Sequence, residues 1–234
     1  MSLMKMTESD SPEMNDTQKS QFLPALRFSW LTRFYDPVAA MTTREKVFRM
    51  KLLEQAELCS GNNILDLACG TGTFALMVKA EYPDVSVTGL DIDRRILALA
   101  RKKTCKADAN IQFDSGNAGA MPYAPKTFDV VFSSLFFHHL DSKNKLLAMK
   151  DVFRVLKPGG VFHVCDWGIP ANLYSKLMFN MVRVLDGFAV TEDNVNGRLP
   201  VFMKNAGFVD VHPLDHIGTI LGTLDMISAR KPMT

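Results

Sequence analysis

Leu65-Asp66-Leu67-Ala68-Cys69-Gly70-Thr71-Gly72-Thr73-Phe74 decides the fold. It joins an apolar run, Asn63 to Ala68, to a helical pattern that begins near Thr73 and is stopped by Pro83. Small residues at alternate positions leave bare main chain at the turn, so a ligand there can approach the backbone closely. In open α/β sheets, ligands bind beyond the carboxyl ends of the strands, which is where this turn falls. A dinucleotide site would want a third glycine deeper in the helix, and this chain has Ala75 instead. A tight strand-to-helix turn with no ligand is the alternative.

Downstream, short apolar runs alternate with helical patterns, the signature of a parallel sheet wrapped by crossover helices. Val85 to Leu90 is a second strand ending at Asp91, and Asp93 caps a helix whose Ile96, Leu97 and Ala100 share a face. Ile111 to Phe113 and Phe128 to Phe132 read as the third and fourth strands. Asp141 caps a helix striped by Leu146, Met149, Phe153 and Leu156, which Lys157-Pro158-Gly159-Gly160 ends; Val161 to Asp166 is the fifth strand. A helix is expected over Thr191 to Ala206, closed by Gly207. Phe208 to Ile217 and Thr219 to Ala229 join across Gly218 with no helix between them, so the last strand must be antiparallel. The expected fold is α/β: a doubly wound, seven-stranded sheet, mostly parallel, with an antiparallel C-terminal hairpin and a helical N-terminal lid.

The 234 residues are 47% hydrophobic and 22% charged with a net charge of +2, which fits one globular domain and excludes disordered, collagenous and disulfide-scaffold classes. Near-neutral charge argues against nucleic acid as a partner. Arg94, Arg95, Arg101, Lys102, Lys103 and Lys106 are better explained as the solvated face of one helix. Cys59, Cys69, Cys105 and Cys165 lack metal-ligand spacing and read as buried thiols of a reducing compartment. No metal is expected. The polar, acidic start is not a secretory signal, and no apolar run approaches the about 18 residues of a spanning helix, so no integral membrane segment and a cytoplasmic location are expected. The chain divides into a loose tail over 1–20 and a single domain over 21–234. That domain comprises a helical lid (21–60), a cofactor half (61–169), an insertion roofing the substrate (170–190), and a closing helix and hairpin (191–234).

Asp93 is available as the helix cap, which frees Asp91, at the end of the second strand, to accept both hydroxyls of a ribose. Asp66 would repel a pyrophosphate at the glycine turn but suits a sulfonium with an amino-acid tail. A nucleoside carrying a sulfonium in place of phosphates is S-adenosyl-L-methionine.

Five further stretches extend the pattern. They are Gly89-Leu90-Asp91, Gly116-Asn117-Ala118 through Met121-Pro122, Phe128-Asp129-Val130-Val131, His138-His139-Leu140 and Arg154-Val155-Leu156-Lys157-Pro158-Gly159-Gly160, in order after the Asp66 to Gly72 loop. Together they resemble the ordered motif series of class I S-adenosylmethionine-dependent methyltransferases, with their Rossmann-like sheet, over roughly residues 61–167. The resemblance implies that Asp66, Ala68, Gly70, Thr71 and Gly72 hold the methionine part of the cofactor, that Asp91 takes the ribose, and that Ile92 packs on the adenine. It also implies that Asn117 and Ala118 meet the adenine edge, that Ser133 faces the methionine end, and that Tyr35 closes over the cofactor, a core contact being the alternative for Tyr35. Among such enzymes the chain is most similar to the ubiquinone/menaquinone-biosynthesis type. It departs in Pro37-Val38-Ala39-Ala40 and in Cys165-Asp166-Trp167, where quinone enzymes carry other residues, which puts a quinone substrate in question.

Methyl transfer is an in-line displacement at an already activated carbon, so positioning supplies most of the acceleration and a base is needed only if the acceptor carries a proton. His138 and His139 follow the fourth strand and are the candidates for a catalytic base, set against a packing role for one and a cap at Asp141 for the other. Pro170 to Val190, read as a helix, is apolar around most of its circumference and is expected to be buried on more than one side, roofing a small, fairly lipophilic or aromatic acceptor. The rival readings are a protein or RNA methyltransferase and a catalytically silent, cofactor-binding regulatory protein. Monomer and homodimer both stay open.

Overall fold

The computed structural model describes residues 44–233. Tyr35, the expected 1–20 tail and most of the expected 21–60 lid lie outside the described residues. Helix α1 spans Glu45–Glu54, and β1 (Asn63–Leu67), α2 (Thr73–Glu81), β2 (Ser86–Asp91), α3 (Arg94–Lys106) and β3 (Gln112–Ser115) follow. Next come β4 (Phe128–Ser134), a 3₁₀ turn over Phe137–His139, α4 (Ser142–Val155) and β5 (Leu156–Trp167). The chain closes with α5 (Leu173–Asp186), α6 (Phe188–Val195), α7 (Leu199–Asn205), β6 (Val209–Gly218) and β7 (Thr223–Arg230).

The strands form one seven-stranded sheet in the order β3-β2-β1-β4-β5-β7-β6. β1 pairs in parallel with β2 and β4, β4 is parallel to β5, and β7 runs antiparallel between β5 and β6. The order reverses at β1, so the crevice of the sheet opens above β1 and β4, where the glycine turn emerges. Side-chain alternation sorts the strands into two cores. Ile64, Val130, Phe132 and Cys165 pack with Phe48 and Leu52 of α1 and Phe74 and Val78 of α2. Leu65, Leu67, Val131 and Val164 pack with Met149 and Val152 of α4 and Phe202 and Met203 of α7.

Four local expectations are corrected. The helix expected over Thr191 to Ala206 is two helices, because Gly197 adopts a left-handed φ of 64° and Pro200 starts a new first turn. Lys157 to Gly160 do not separate helix from strand; β5 begins at Leu156 and absorbs them through a register shift between Phe128 and Val130. The hairpin turns over residues 219–222, where Thr219 Oγ1 accepts the amides of Leu221 and Gly222. Of the four thiols expected to be buried, Cys69 and Cys165 are, whereas Cys59 precedes β1 in a surface turn and Cys105 lies on the outer face of α3.

Helix α5 differs most. Asn172 and Ser175 close a capping box at its start, and Phe179 packs on Trp167 with ring centroids 5.0 Å apart. Phe179 and Ser175 are buried, yet Leu173 is 82% exposed and Val184 70%, with Tyr174, Leu177 and Met181 also exposed. The helix meets the body along one stripe, because only that stripe reaches Trp167 and the β7 end of the hairpin. Burial on more than one side is not found. Among the described residues, no helix is long and apolar enough to cross a membrane.

Candidate functional site

After Leu67 the chain enters the left-handed region three times, at Ala68 (φ 58°), Gly70 (φ 53°) and Gly72 (φ 72°), and winds tightly into α2. The two glycines serve different ends. A Cβ on Gly72 would lie 2.8 Å from the Phe113 ring, so the loop sits flush on the sheet, and Gly89 beneath it is equally confined. A Cβ on Gly70 would meet nothing within 4 Å among the described residues, so this residue presents open main chain.

Asp91 ties the loop to the end of β2. Its Oδ2 accepts the Gly70 amide at 3.0 Å and its Oδ1 the Asp93 amide at 2.9 Å, leaving each oxygen further lone-pair capacity. Burial raises its pKa against the pull of these amides. Asp93 caps α3 by accepting the Arg95 amide at 2.8 Å, as the sequence predicts. The Gly116 amide bonds the Asp91 carbonyl at 3.1 Å, which brings the Asn117 loop alongside. Asn117 Oδ1 accepts the Gly119 amide at 2.8 Å, Ala118 packs against the second core, and Ile92 is 39% exposed. Asp66, Ala68, Gly70, Thr71, Gly72, Asp91, Ile92, Asn117 and Ala118 thus gather at the carboxyl ends of β1 to β3. Ser133 does not join Asp66: it is in register with Leu67, so the pleat places it on the opposite side of the sheet, where its Oγ is buried without a partner among the described residues.

Asp66 is 2% exposed, and its Oδ2 has no hydrogen-bond partner among the described residues. Burial pushes its pKa up to about 7, with Asp91 adding to the rise, although the charge of Arg49 and the Ala75 amide pull it down. Arg49, on the α1 face that carries Phe48 and Leu52, is a residue the sequence reading missed. Its Nη2 pairs with Glu45 Oε1 at 2.6 Å, while Nε and Nη1 are buried without partners among the described residues. The only sequence signal is its place beside an apolar helical stripe. Unpartnered buried polar atoms cost about 1–3 kcal/mol each, so such a concentration is a mark of a binding site rather than of a scaffold.

Beyond β4, His138 is buried, with Nδ1 2.6 Å from Asp166 Oδ1. Asp166 closes β5 and also accepts the amides of Phe137 at 2.6 Å and Trp167 at 2.7 Å. Burial works to raise its pKa, but the His138 ring and these amides together hold the carboxyl below its usual value. His139, its ring centroid 3.9 Å from that of His138, has its pKa lowered to about 3 by burial and by the neighbouring imidazole. Asp141 caps α4 with its own side chain, accepting the Asn144 amide at 2.7 Å. Asp166 was legible only as a departure from a motif.

Residues 64–160 match a family model described as a methyltransferase domain. The chain is 34% identical over 137 residues to a demethylmenaquinone methyltransferase of Lactococcus lactis, covering 57% of this chain and 54% of that protein. It is 29% identical over 169 residues to a demethylmenaquinone methyltransferase of Deinococcus radiodurans, covering 71% and 69%. The chain therefore spans little more than half the length of the first of these relatives. Two solved structures share the fold: the YcgJ protein of Bacillus subtilis (TM-score 0.67, 17% identity, 79% of this chain and 97% of that one) and a Haemonchus contortus phosphoethanolamine N-methyltransferase 2 with S-adenosylhomocysteine (0.66, 18%, 80% and 52%).

Proposed function

We propose that this chain, which carries a class I S-adenosylmethionine-dependent methyltransferase domain, transfers a methyl group from S-adenosylmethionine to a small, lipophilic or aromatic acceptor. The observation that carries the reading is the open main chain at Gly70 set between two carboxylates with unused lone pairs, Asp66 and Asp91. A pyrophosphate would be repelled there, whereas a ribose and a cationic amino-acid end are received. When bound, S-adenosylmethionine supplies a methyl carbon already activated by positive sulfur.

The chain's own residues bind and orient. The loop from Asp66 through Ala68, Gly70, Thr71 and Gly72 takes the methionine portion, Asp91 holds the ribose hydroxyls, and Ile92 lies on the adenine. Asn117 and Ala118 meet the adenine edge, and Asn117 Oδ1 keeps a lone pair for it beyond the Gly119 amide. Ser133 supports the methionine end from the far side of the sheet. Residues 170–190 bound the acceptor. The names of the relatives favour a ring-bearing, lipophilic molecule as that acceptor. If it carries a proton, His138 and His139 are the candidates to take it, and burial, which lowers the His139 pKa to about 3, makes that ring a weak base.

Transfer of labelled methyl from S-adenosylmethionine into a panel holding a reduced short-chain demethylnaphthoquinone, simple phenols, RNA and protein tests the reading. Label in the small molecules is expected. Label in macromolecules alone, or donor binding with no transfer to any arm, overturns it.

A further inference from the structure

Past Ser134 the fourth strand leaves the sheet, and the end of β5 loses its neighbour on that side. The Cys165 carbonyl still accepts the Leu135 amide of the departing chain at 2.9 Å, whereas the Gly168 amide turns to β7 and bonds the Thr223 carbonyl at 3.0 Å. Main-chain polar groups alternate in direction along a strand, so those of Trp167 face the notch that β4 vacates. Side chains take both of them. Asp166 Oδ1 accepts the Trp167 amide at 2.7 Å, and the Trp167 carbonyl accepts Asn194 Nδ2 at 3.1 Å. Asp166 Oδ1 also lies 2.6 Å from His138 Nδ1, so hydrogen bonds join Asn194 to the His138 turn at the carboxyl ends of β4 and β5.

Asn194 is 1% exposed, and its Oδ1 has no partner among the described residues. Turning the amide over is no remedy, because Oδ1 would then face the Trp167 carbonyl oxygen. The helix is pinned as well. α6 packs on the 3₁₀ turn and on β5, Lys145 Nζ bonds the Val190 carbonyl at 2.6 Å, and Asp193 accepts Ser142 Oγ at 2.6 Å and Arg198 Nη1 at 2.8 Å. One fixed, dry acceptor atom is left over at the end of the sheet where ligands bind.

We propose that Asn194 reads the methyl acceptor: its Oδ1 accepts a hydrogen bond from a hydroxyl on the acceptor's ring, and the site rejects rings that lack this donor. A bare ring would leave Oδ1 orphaned, and an ether oxygen would set a second acceptor against it. The inference rests on the small aromatic acceptor proposed above and adds the polar group that acceptor must carry and the residue that selects it.

Titration calorimetry of the full chain saturated with S-adenosylhomocysteine tests this with 1-naphthol, naphthalene and 1-methoxynaphthalene. The wild type should bind 1-naphthol about tenfold tighter than either of the others. In Asn194→Ala the three affinities should converge to within about twofold of one another. Loss of the Trp167 carbonyl's partner weakens all three alike and leaves their ratios unmoved, so the ratio isolates Oδ1. Should Asn194→Ala not give a cooperative melt, Asn194→Leu, which fills the space, must show the same convergence. A wild type indifferent to the hydroxyl, the result if a water occupies the position, overturns the assignment, as does a folded variant that keeps the preference. A wild type that binds S-adenosylhomocysteine but none of the three rings overturns the acceptor reading beneath it.

Discussion

At single residues the two loop glycines should fail in different ways. Gly70→Ala adds a methyl that touches no neighbour among the described residues, so the fold bears only the left-handed backbone strain of about 1–2 kcal/mol, the melting temperature should drop by a few degrees, and nucleoside affinity should fall by more than that strain explains. Gly72→Ala drives a Cβ against Phe113 at 2.8 Å and should lower the melting temperature, with any loss of affinity following from that. If Asp91 takes the ribose as proposed, Asp91→Ala loses those charged hydrogen bonds as well as the tie to Gly70, and should weaken S-adenosylhomocysteine by about 1.5–3 kcal/mol in calorimetry. Two buried groups set opposite pH dependences. His163 has its pKa lowered to about 4, first by burial and then by Arg230 and His212, so its stabilising effect is complete above the ordinary histidine value and is lost as pH falls from about 6.5 towards 4. Asp66, raised to about 7, favours the protonated fold, so its penalty grows as pH rises from about 4 to 7. Thermal melts between pH 7 and 5 should therefore show a shallower loss on acidification in His163→Gln and a steeper one in Asp66→Asn. Parallel slopes in all three proteins would refute both assignments.

At the scale of elements, α5 is anchored by Phe179 on Trp167, with Val182 against the same core and Arg183 bonded to Thr191. Phe179→Ala should cost about 3–5 kcal/mol if the helix stays docked, and less if it releases, in which case hydrogen exchange over residues 173–186 should rise to the rate of an open segment while β4 and β5 stay protected. What the sequence disclosed at this scale depended on how local the cause was. Asp93 and Asp141 were readable as caps because a cap is settled within three residues. The central strands were readable because they are buried on both faces, which leaves unbroken apolar runs. Gly197 and Pro200 announced the break between α6 and α7, but the longer apolar period masked it. Arg49 and Asp166 were hidden because the groups whose charges they influence, Asp66 and His138, lie 17 and 28 residues away and only the fold brings them near. The exposure of α5 was likewise hidden, since an apolar helical surface does not say how much of itself finds a neighbour.

For the molecule as a whole, topology concentrates chemistry at one end and leaves the other edge idle. The sheet order reverses between β1 and β4, and the loops that carry the candidate ligand contacts leave from the carboxyl ends of β1, β2 and β3, with His138 and His139 beyond β4. The opposite margin is β6, whose register with β7 slips between Val209 and His212 and again between Pro213 and Asp215. Pro213 offers no amide hydrogen, and Asp210, His212, Asp215 and His216 place polar side chains along the same outer strand. An interrupted, proline-bearing edge of this kind is a poor template for a strand from another molecule. A concentrated solution of this protein is thus guarded against edge-to-edge polymerisation on that side, and two copies are discouraged from pairing by lengthening the sheet at β6.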